Sequence, residues 1–201
     1  AIDATAAIVQ RLGAYFGSSY PFAKLDVVAV PDLAAGAMEN PGLVTFREEL
    51  LLVDPARTST RTRRGQASVI AHELAHQWFG NLVTAKWWND LWLNEGMATW
   101  MEARVVQDWQ PTWGAKLEDL ADTQGVMDAD ALVAARRVRQ PVVSTEDAME
   151  AFDGITYQKG SALLGMLEQH VGEKLFQQGV RDYIRANAWG NATADDLLDA
   201  I

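Results

Sequence analysis

The feature that most constrains this fold is the stretch A-H-E-L-A-H-Q-W at residues 71–78, which follows the apolar pair Val69 and Ile70. The apolar lead-in predicts a helix with one buried side. Residues four apart on a helix share a face and lie about 6 Å apart along its axis. His72 and His76 can therefore direct two imidazoles at one point, as a tetrahedral zinc ion requires of its first two ligands.

Glu73 follows the first of these histidines directly. Its carboxylate would point to the side of the metal, where it cannot easily be a third ligand but can accept a proton from a metal-bound water. The opposing interpretation is an amphipathic helix with two surface histidines, since H-E-x-x-H alone gives false matches. The chain has only three histidines, and two of them lie in the motif, which favours zinc.

Glu95, in the sequence W-L-N-E-G, is the predicted third ligand. Eighteen residues, 77–94, separate it from His76, enough for one helix to end and a second to return. Two histidines and one glutamate leave a fourth position open for water, which is typical of catalytic zinc. Taken alone, Glu95 would be a helix N-terminal acid favoured by the dipole. Together with the complete motif, it predicts one Zn²⁺ per chain.

The composition limits the classes of partner. The 201 residues are 49% hydrophobic and 22% charged, an ordinary globular composition. Acidic residues outnumber basic ones by 27 to 17, and the net charge of -10 would repel a phosphate backbone, so no nucleic-acid partner is expected. The same charge would favour a cationic group such as a peptide's α-ammonium, if it is concentrated in the cleft.

No targeting or membrane segment is predicted in this chain. No apolar run approaches the roughly 20 residues that span a bilayer, and the N-terminus lacks the features of a signal peptide. The chain begins with Ala1 rather than Met, as a processed or excised piece would. A soluble chain is expected, with the cytoplasm favoured and the parent protein's compartment left open.

The hydrophobic pattern predicts a strand-rich lobe over about 18–54 and a mostly helical lobe over about 64–201, hence an α+β fold. The motif helix is predicted from Gln66 to about Phe79, and the next helix from Asn94 to about Val106. The arginine-rich segment from Pro55 to Gly65 is predicted to be a solvated loop, with docking onto a missing neighbour as the alternative. The remaining predicted elements are a helix at 3–16, strands at 25–30, 43–46 and 50–53, and helices at 112–124, 146–151, 156–171, 173–187 and 193–201.

Four motifs together resemble the gluzincin aminopeptidases, the aminopeptidase N-like and puromycin-sensitive-like family. They are H-E-x-x-H, the Asn-Glu-Gly around Glu95, Gly-Ala-Met-Glu-Asn at 36–40, and Tyr-Gln-Lys-Gly at 157–160. The resemblance covers about residues 20–166 and implies a single thermolysin-like zincin catalytic domain over 1–201. Because family members are much larger, it also implies that flanking domains are missing and would pack against this chain.

The resemblance implies roles for three further groups. Glu39 would bind the substrate's free α-amino group and so restrict cleavage to chain ends; its alternative is a turn-flanking surface acid. Tyr157 would donate to the oxyanion opposite the zinc, whereas the residues alone favour a core tyrosine. The backbone of Gly36 and Ala37, beside Met38, would pair with the substrate main chain.

Three other sets of residues have simpler interpretations. Glu102 lies seven residues after Glu95 on nearly the same helix face, where it can orient a ligand histidine or form a surface salt bridge. His170, near a helix end, has no predicted catalytic role. Four tryptophans are expected to pack the two zinc-bearing helices together, with a peptide-stacking surface as the less favoured alternative: Trp78, Trp87, Trp88 and Trp92.

The predicted activity is that of a zinc aminopeptidase, which hydrolyses the N-terminal bond of peptides with a free N-terminus. The alternative is an isolated zinc- and peptide-binding fragment with little activity, because the flanking domains are missing. A zinc epoxide hydrolase of the same family has no support in the residues.

Overall fold

The computed structural model describes residues 2–54 and 56–201. Within these ranges a small sheet precedes a larger set of helices, so the predicted α+β class is confirmed. Ala1, and Pro55 at the start of the predicted arginine-rich loop, lie outside the described residues. No helix of the described part combines the length and the apolar character that a membrane crossing requires.

Helix α1 (Ile2–Phe16) confirms the first predicted helix. Its apolar residues recur at spacings of three and four, and Ile8 and Leu12 are fully buried against the rest of the core. The helix ends before Gly17, whose φ of 69° lies in the left-handed region that favours glycine.

Strands β1 (Asp26–Val30), β2 (Ala37–Met38) and β3 (Leu43–Arg47) form one sheet in the order β1-β3-β2. The central strand β3 runs parallel to β1 and antiparallel to β2. It buries Val44 and Phe46 in the core. Strand β2 therefore lies at the edge of the sheet, where its outer backbone groups have no partner strand among the described residues.

The predicted strand at 50–53 is wrong. Helix α2 (Glu48–Leu51) replaces it directly after β3, and only Leu51 is buried. Two acids, Glu48 and Glu49, occupy its first turn, where the helix dipole stabilises negative charge. A short apolar run cannot by itself be assigned to strand or helix.

The motif helix, α3 (Thr60–Ala75), begins six residues before the predicted start at Gln66. The loop predicted from Pro55 to Gly65 is therefore wrong over residues 60–65. Ser59 caps the helix, because its hydroxyl accepts from the backbone N–H of Thr62 at 3.1 Å. The helix also ends before the predicted Phe79, since tight turns follow Ala75.

Most elements of the helical lobe follow the predicted order. Helix α4 begins earlier than the predicted Asn94, and the helix predicted at 156–171 begins with a π-helical turn. Strands β4 and β5, each of three residues, pair in parallel and were not predicted. The elements are β4 (Val83–Ala85), a 3₁₀ turn (Trp88–Asp90), α4 (Leu91–Trp109), a 3₁₀ turn (Pro111–Trp113), α5 (Ala115–Asp130), α6 (Thr145–Glu150), the π-helical turn (Ile155–Lys159), α7 (Gly160–Val171), α8 (Glu173–Asn187), β5 (Gly190–Ala192) and α9 (Ala194–Ala200).

The tryptophans divide between core and cleft. Trp78 is fully buried, and its ring lies 5.3 Å from that of Phe16. Trp92 packs against the same core. Trp87 and Trp88 are 58% and 47% exposed, so their predicted packing between the zinc-bearing helices is wrong. They lie in the turn before α4, outside the interface between α3 and α4.

Helices α4 and α7 meet backbone to backbone at two glycines. A Cβ atom on Gly96 would lie 2.8 Å from the carbonyl carbon of Gly160. A Cβ atom on Gly160 would lie 3.0 Å from the carbonyl oxygen of Trp92. This close approach sets the π-helical turn, which directly precedes α7, against the helix that carries Glu95.

Candidate metal centre and active site

The three side chains predicted as metal ligands converge. His72 Nε2 lies 3.1 Å from His76 Nε2 and 3.2 Å from Glu95 Oε2. His76 Nε2 lies 3.3 Å from the same Glu95 oxygen. A tetrahedral zinc ion with ligands at about 2.0–2.1 Å needs donor atoms about 3.3–3.4 Å apart. Within the described ranges, these residues form the one group of three His, Asp or Glu side chains close enough to hold a metal ion.

The hydrogen bonds of the two Nδ1 atoms determine that the Nε2 atoms of both histidines face this centre. His76 Nδ1 lies 3.0 Å from the carbonyl oxygen of Phe79, and His72 Nδ1 lies 3.0 Å from Glu102 Oε2. Because a carbonyl only accepts, Nδ1 of His76 donates and its Nε2 presents a lone pair inward. A carboxylate selects the same tautomer for His72. Two lone pairs and the carboxylate of Glu95 then face one point, a donor set that fits Zn²⁺.

The electrostatics of the centre favour a cation beside Glu95, so a metal ion that binds there would replace a proton on the two imidazoles. Burial lowers the pKa of His72, but hydrogen bonds to Glu102 and Glu95 outweigh it and hold that pKa well above its ordinary value. Burial also opposes protonation of His76, whereas the charge and hydrogen bond of Glu95 raise its pKa to about 9. For Glu95, burial raises the pKa, and the two imidazoles lower it to far below the ordinary range.

Glu73 lies beside the ligands but forms no part of the converging group. It is buried, and burial raises its pKa to about 7 against the lowering effect of His72 and His76. The charges of Glu39 and Glu95 contribute to this rise. A carboxylate with a pKa near neutrality can both accept and release a proton.

Tyr157 lies in the π-helical turn, with its ring stacked on that of His72 at a centroid distance of 5.8 Å. Burial raises the pKa of its phenol, and the charge and hydrogen bond of Glu95 raise it further. The phenol is therefore a protonated hydrogen-bond donor at neutral pH. π-helical turns are rare and occur frequently at functional sites.

A cleft of about 970 Å³ joins these groups, a volume suited to a small ligand or a chain end. The edge strand β2 and the metal centre line it. Trp87 and Trp88, in the turn before α4, also line it, a position that fits the less favoured alternative of a peptide-stacking surface. The predicted site residues that line the cleft are Gly36, Ala37, Met38, Glu39, His72, Glu73, His76, Glu95 and Tyr157.

The family comparison agrees with this geometry. The family model described as Peptidase family M1 domain matches residues 1–201. The chain belongs to peptidase family M1. The predicted resemblance to the gluzincin aminopeptidases is thereby confirmed, and with it a zincin-like fold.

Curated relatives of this M1 chain are much longer than the chain itself. Aminopeptidase 2 of Candida albicans is 44% identical over 187 residues, which are 92% of this chain and 20% of the relative. Aminopeptidase N of Mus musculus is 43% identical over 203 residues, covering 99% of this chain and 21% of the relative. The M1 chain thus spans about a fifth of the length of the curated relatives it matches.

Sequence reasoning missed the residues that hold the π-helical turn of this M1 domain. Arg136 Nε donates to Asp153 at 3.0 Å, and Arg136 Nη2 donates to the hydroxyl of Thr156 at 2.6 Å. At the other end of the turn, Lys159 Nζ donates to Asp130 at 2.6 Å. The turn that carries the phenol is therefore fixed at both ends. Lys159 belongs to a recognised motif, but nothing in the sequence pairs Arg136 with a distant aspartate.

Proposed function

We propose that this chain is the catalytic core of a zinc aminopeptidase, which hydrolyses the N-terminal bond of peptides with a free N-terminus. The observation that carries the proposal is the convergence of three ligand atoms, 3.1–3.3 Å apart, beside a buried carboxylate in an open cleft. Membership of a peptidase family and the names of the relatives support the same reaction class. Further domains of the parent protein, proposed because the relatives are so much longer, would pack against this core.

His72, His76 and Glu95 would hold one Zn²⁺ and leave a fourth position for water. The ion, when bound, supplies a Lewis acid that polarises the scissile carbonyl and lowers the pKa of water. Glu102 and the carbonyl of Phe79 keep the inner imidazole nitrogens free for that purpose. These outer contacts make the site rigid before the substrate arrives.

Glu73 would act as the general base. Its carboxylate accepts a proton from the attacking water and later returns it to the leaving amine. Burial supports this role, because it raises the pKa to about 7 and so allows proton transfer in both directions. Tyr157 would donate its O–H to the oxyanion that develops on the carbonyl, a contact that strengthens in the transition state.

Glu39 would fix the position of the cut by binding the substrate's α-ammonium group. An anion one residue's length from the reacting carbonyl can be neutralised only by a chain end. Strand β2 supports the rest of the substrate path, because it lies at the sheet edge and lines the cleft. Backbone groups of Gly36 and Ala37, with Met38 beside them, would pair with the peptide main chain.

A matched pair of substrates tests the proposal. We expect the zinc-loaded chain to hydrolyse a fluorogenic alanine amide with a free amine and to cleave its N-acetyl derivative at only a far lower rate. Equal cleavage of both would indicate an endopeptidase and contradict the role of Glu39. Cleavage of neither, with zinc bound, would identify the alternative, a zinc- and peptide-binding fragment, which the enzyme names of the relatives do not favour.

A further inference from the structure

A buried amide connects the turn after the metal helix to the main chain of Glu39. Gln77 follows the second histidine directly and has no exposed surface. Its Nε2 donates to the carbonyl oxygen of Glu39 at 2.9 Å. Its Oε1 accepts from the N–H of Gly42 at 3.2 Å and from the hydroxyl of Tyr20 at 3.1 Å. Since an unpaired buried amide is costly, these partners define one arrangement of the side chain.

Asn81 contributes a second donor to the same carbonyl. Its Nδ2 lies 2.6 Å from the carbonyl oxygen of Glu39. Its own backbone N–H donates to the carbonyl oxygen of His76 at 3.0 Å. Gln77 is likewise tied to the helix end, because its N–H donates to the carbonyl oxygen of Leu74 at 3.2 Å. Both donors that hold Glu39 are thus attached to the backbone that carries a metal ligand.

The Glu39 backbone needs such support, because it lies beyond the end of β2. The ladder between β2 and β3 ends at Met38, and the chain then turns through Asn40, Pro41 and Gly42. Gly42 has a φ of 73°, and the N–H of the next residue closes the turn on the carbonyl oxygen of Asn40 at 3.0 Å. By binding Glu39 and Gly42 together, the amide of Gln77 holds both sides of this turn.

We propose that Gln77 and Asn81 are positioning residues for the selection of free N-termini. They hold the main chain of Glu39 at a set distance from the metal centre, and this distance is the gap that the first substrate residue must span. The inference rests on the proposed role of Glu39 as the ammonium-binding carboxylate. Neither side chain contacts the reacting atoms in this scheme. When the main chain of Glu39 is held in place, its carboxylate needs less reorganisation to bind the ammonium group.

Affinity measurements on the zinc-loaded chain test this inference without turnover. Leucine hydroxamate carries a metal-binding group and a free α-amine, whereas its N-acetyl derivative lacks the cation. We expect the unaltered chain to bind the free-amine form more tightly in isothermal titration calorimetry. In Gln77→Met and Asn81→Ala, the ratio of the two dissociation constants should fall by about tenfold or more. Zinc content and the affinity for the N-acetyl form should stay unchanged.

Gln66→Met is the matched control, because Gln66 is a buried glutamine of α3 that donates to Leu51 and does not contact Glu39. It should keep the full preference. If the unaltered chain shows no preference, the role of Glu39 fails and this inference with it. If the unaltered chain shows the preference and the two variants keep it in full, or if both affinities fall in parallel in the variants, the positioning role alone is wrong. If Gln77→Met does not fold, Asn81→Ala, at a partly buried position, still tests the positioning role.

Discussion

The carboxylate of Glu102 lies 3.0 Å from the outer nitrogen of His72, and this contact determines which nitrogen faces the proposed metal site. We expect Glu102→Gln to weaken zinc binding by about 10–100-fold, since an amide selects the tautomer less strongly than a carboxylate does. Competition with a chelator of known affinity measures the effect. Glu150→Gln, at an exposed helical position, is the control. Zinc affinity that is equal in all three proteins would contradict the assigned contact.

Single residues of the site differ in how well the sequence predicts them. The sequence predicts that His72, His76 and Glu95 converge. Helical spacing places the two imidazoles on one helix face, and one reversal of the chain returns the carboxylate to them. Glu39 can be assigned only from its motif, since a carboxylate beside a turn has no intrinsic signal. Gln77 was not predicted at all. Its partner is the main chain of a residue 38 positions away, and such a bond leaves no pattern in the sequence.

At the scale of elements, helices α1 and α8 were predicted closely, whereas the short elements α2, β4 and β5 were mispredicted or missed. Helices α1 and α8 follow from apolar periodicity over fifteen residues each. Strands β4 and β5 span three residues each and form only because the chain brings segments 107 positions apart into register, from Val83 to Gly190. Periodicity has no information about such pairing. The π-helical turn was predicted as ordinary helix, because a single widened turn does not change the hydrophobic spacing.

The contact between α4 and α7 gives a prediction about packing. Gly96→Ala should lower the free energy of unfolding by about 1–3 kcal/mol, because its Cβ would lie 2.8 Å from backbone that cannot move freely. Gly125→Ala in α5 is the control, since a Cβ there meets nothing within 4 Å. It should raise stability by about 0.4–1 kcal/mol. Urea unfolding measures both. Equal and small effects would show that the backbones do not meet as described.

Helix α5 carries a carboxylate whose burial predicts a dependence of stability on pH. Burial, together with the charges of Glu102 and Asp122, raises the pKa of Asp119 from 3.8 to about 6. The folded chain therefore binds this proton more tightly than the unfolded chain, so this group destabilises the fold as pH rises from about 4 to above 6.

We expect Asp119→Asn to raise the Tm at pH 7.5 and to have little effect near pH 3, which lies below the pKa of this carboxyl group in both the folded and the unfolded chain. Thermal unfolding across this range measures the difference from the unaltered chain. Asp128→Asn, at an exposed position of the same helix, should show no such trend. A gain in Tm that is independent of pH would contradict the shifted pKa.

At the scale of the whole molecule, the sheet and the helices contribute opposite sides of one cleft. The sheet provides the edge strand and the proposed ammonium-binding carboxylate, and the helices provide the proposed metal ligands and the phenol. The sequence predicted this division, because strand and helix patterns occupy different parts of the chain. For the aromatic side of the cleft, where Trp87 and Trp88 are exposed, it favoured core packing over a peptide-stacking surface. Hydrophobicity alone favours burial for such residues and does not distinguish a cleft from a core.

The central claim joins a zinc centre to the recognition of a free N-terminus, and Glu39→Gln tests it most directly. This change removes the charge and keeps the shape. We predict that zinc content stays at one ion per chain, while kcat/KM for a free-amine alanine amide falls by about 100-fold or more. The low rate on the N-acetyl amide should not change. An unaltered ratio of the two rates, or loss of zinc together with activity, would contradict the claim.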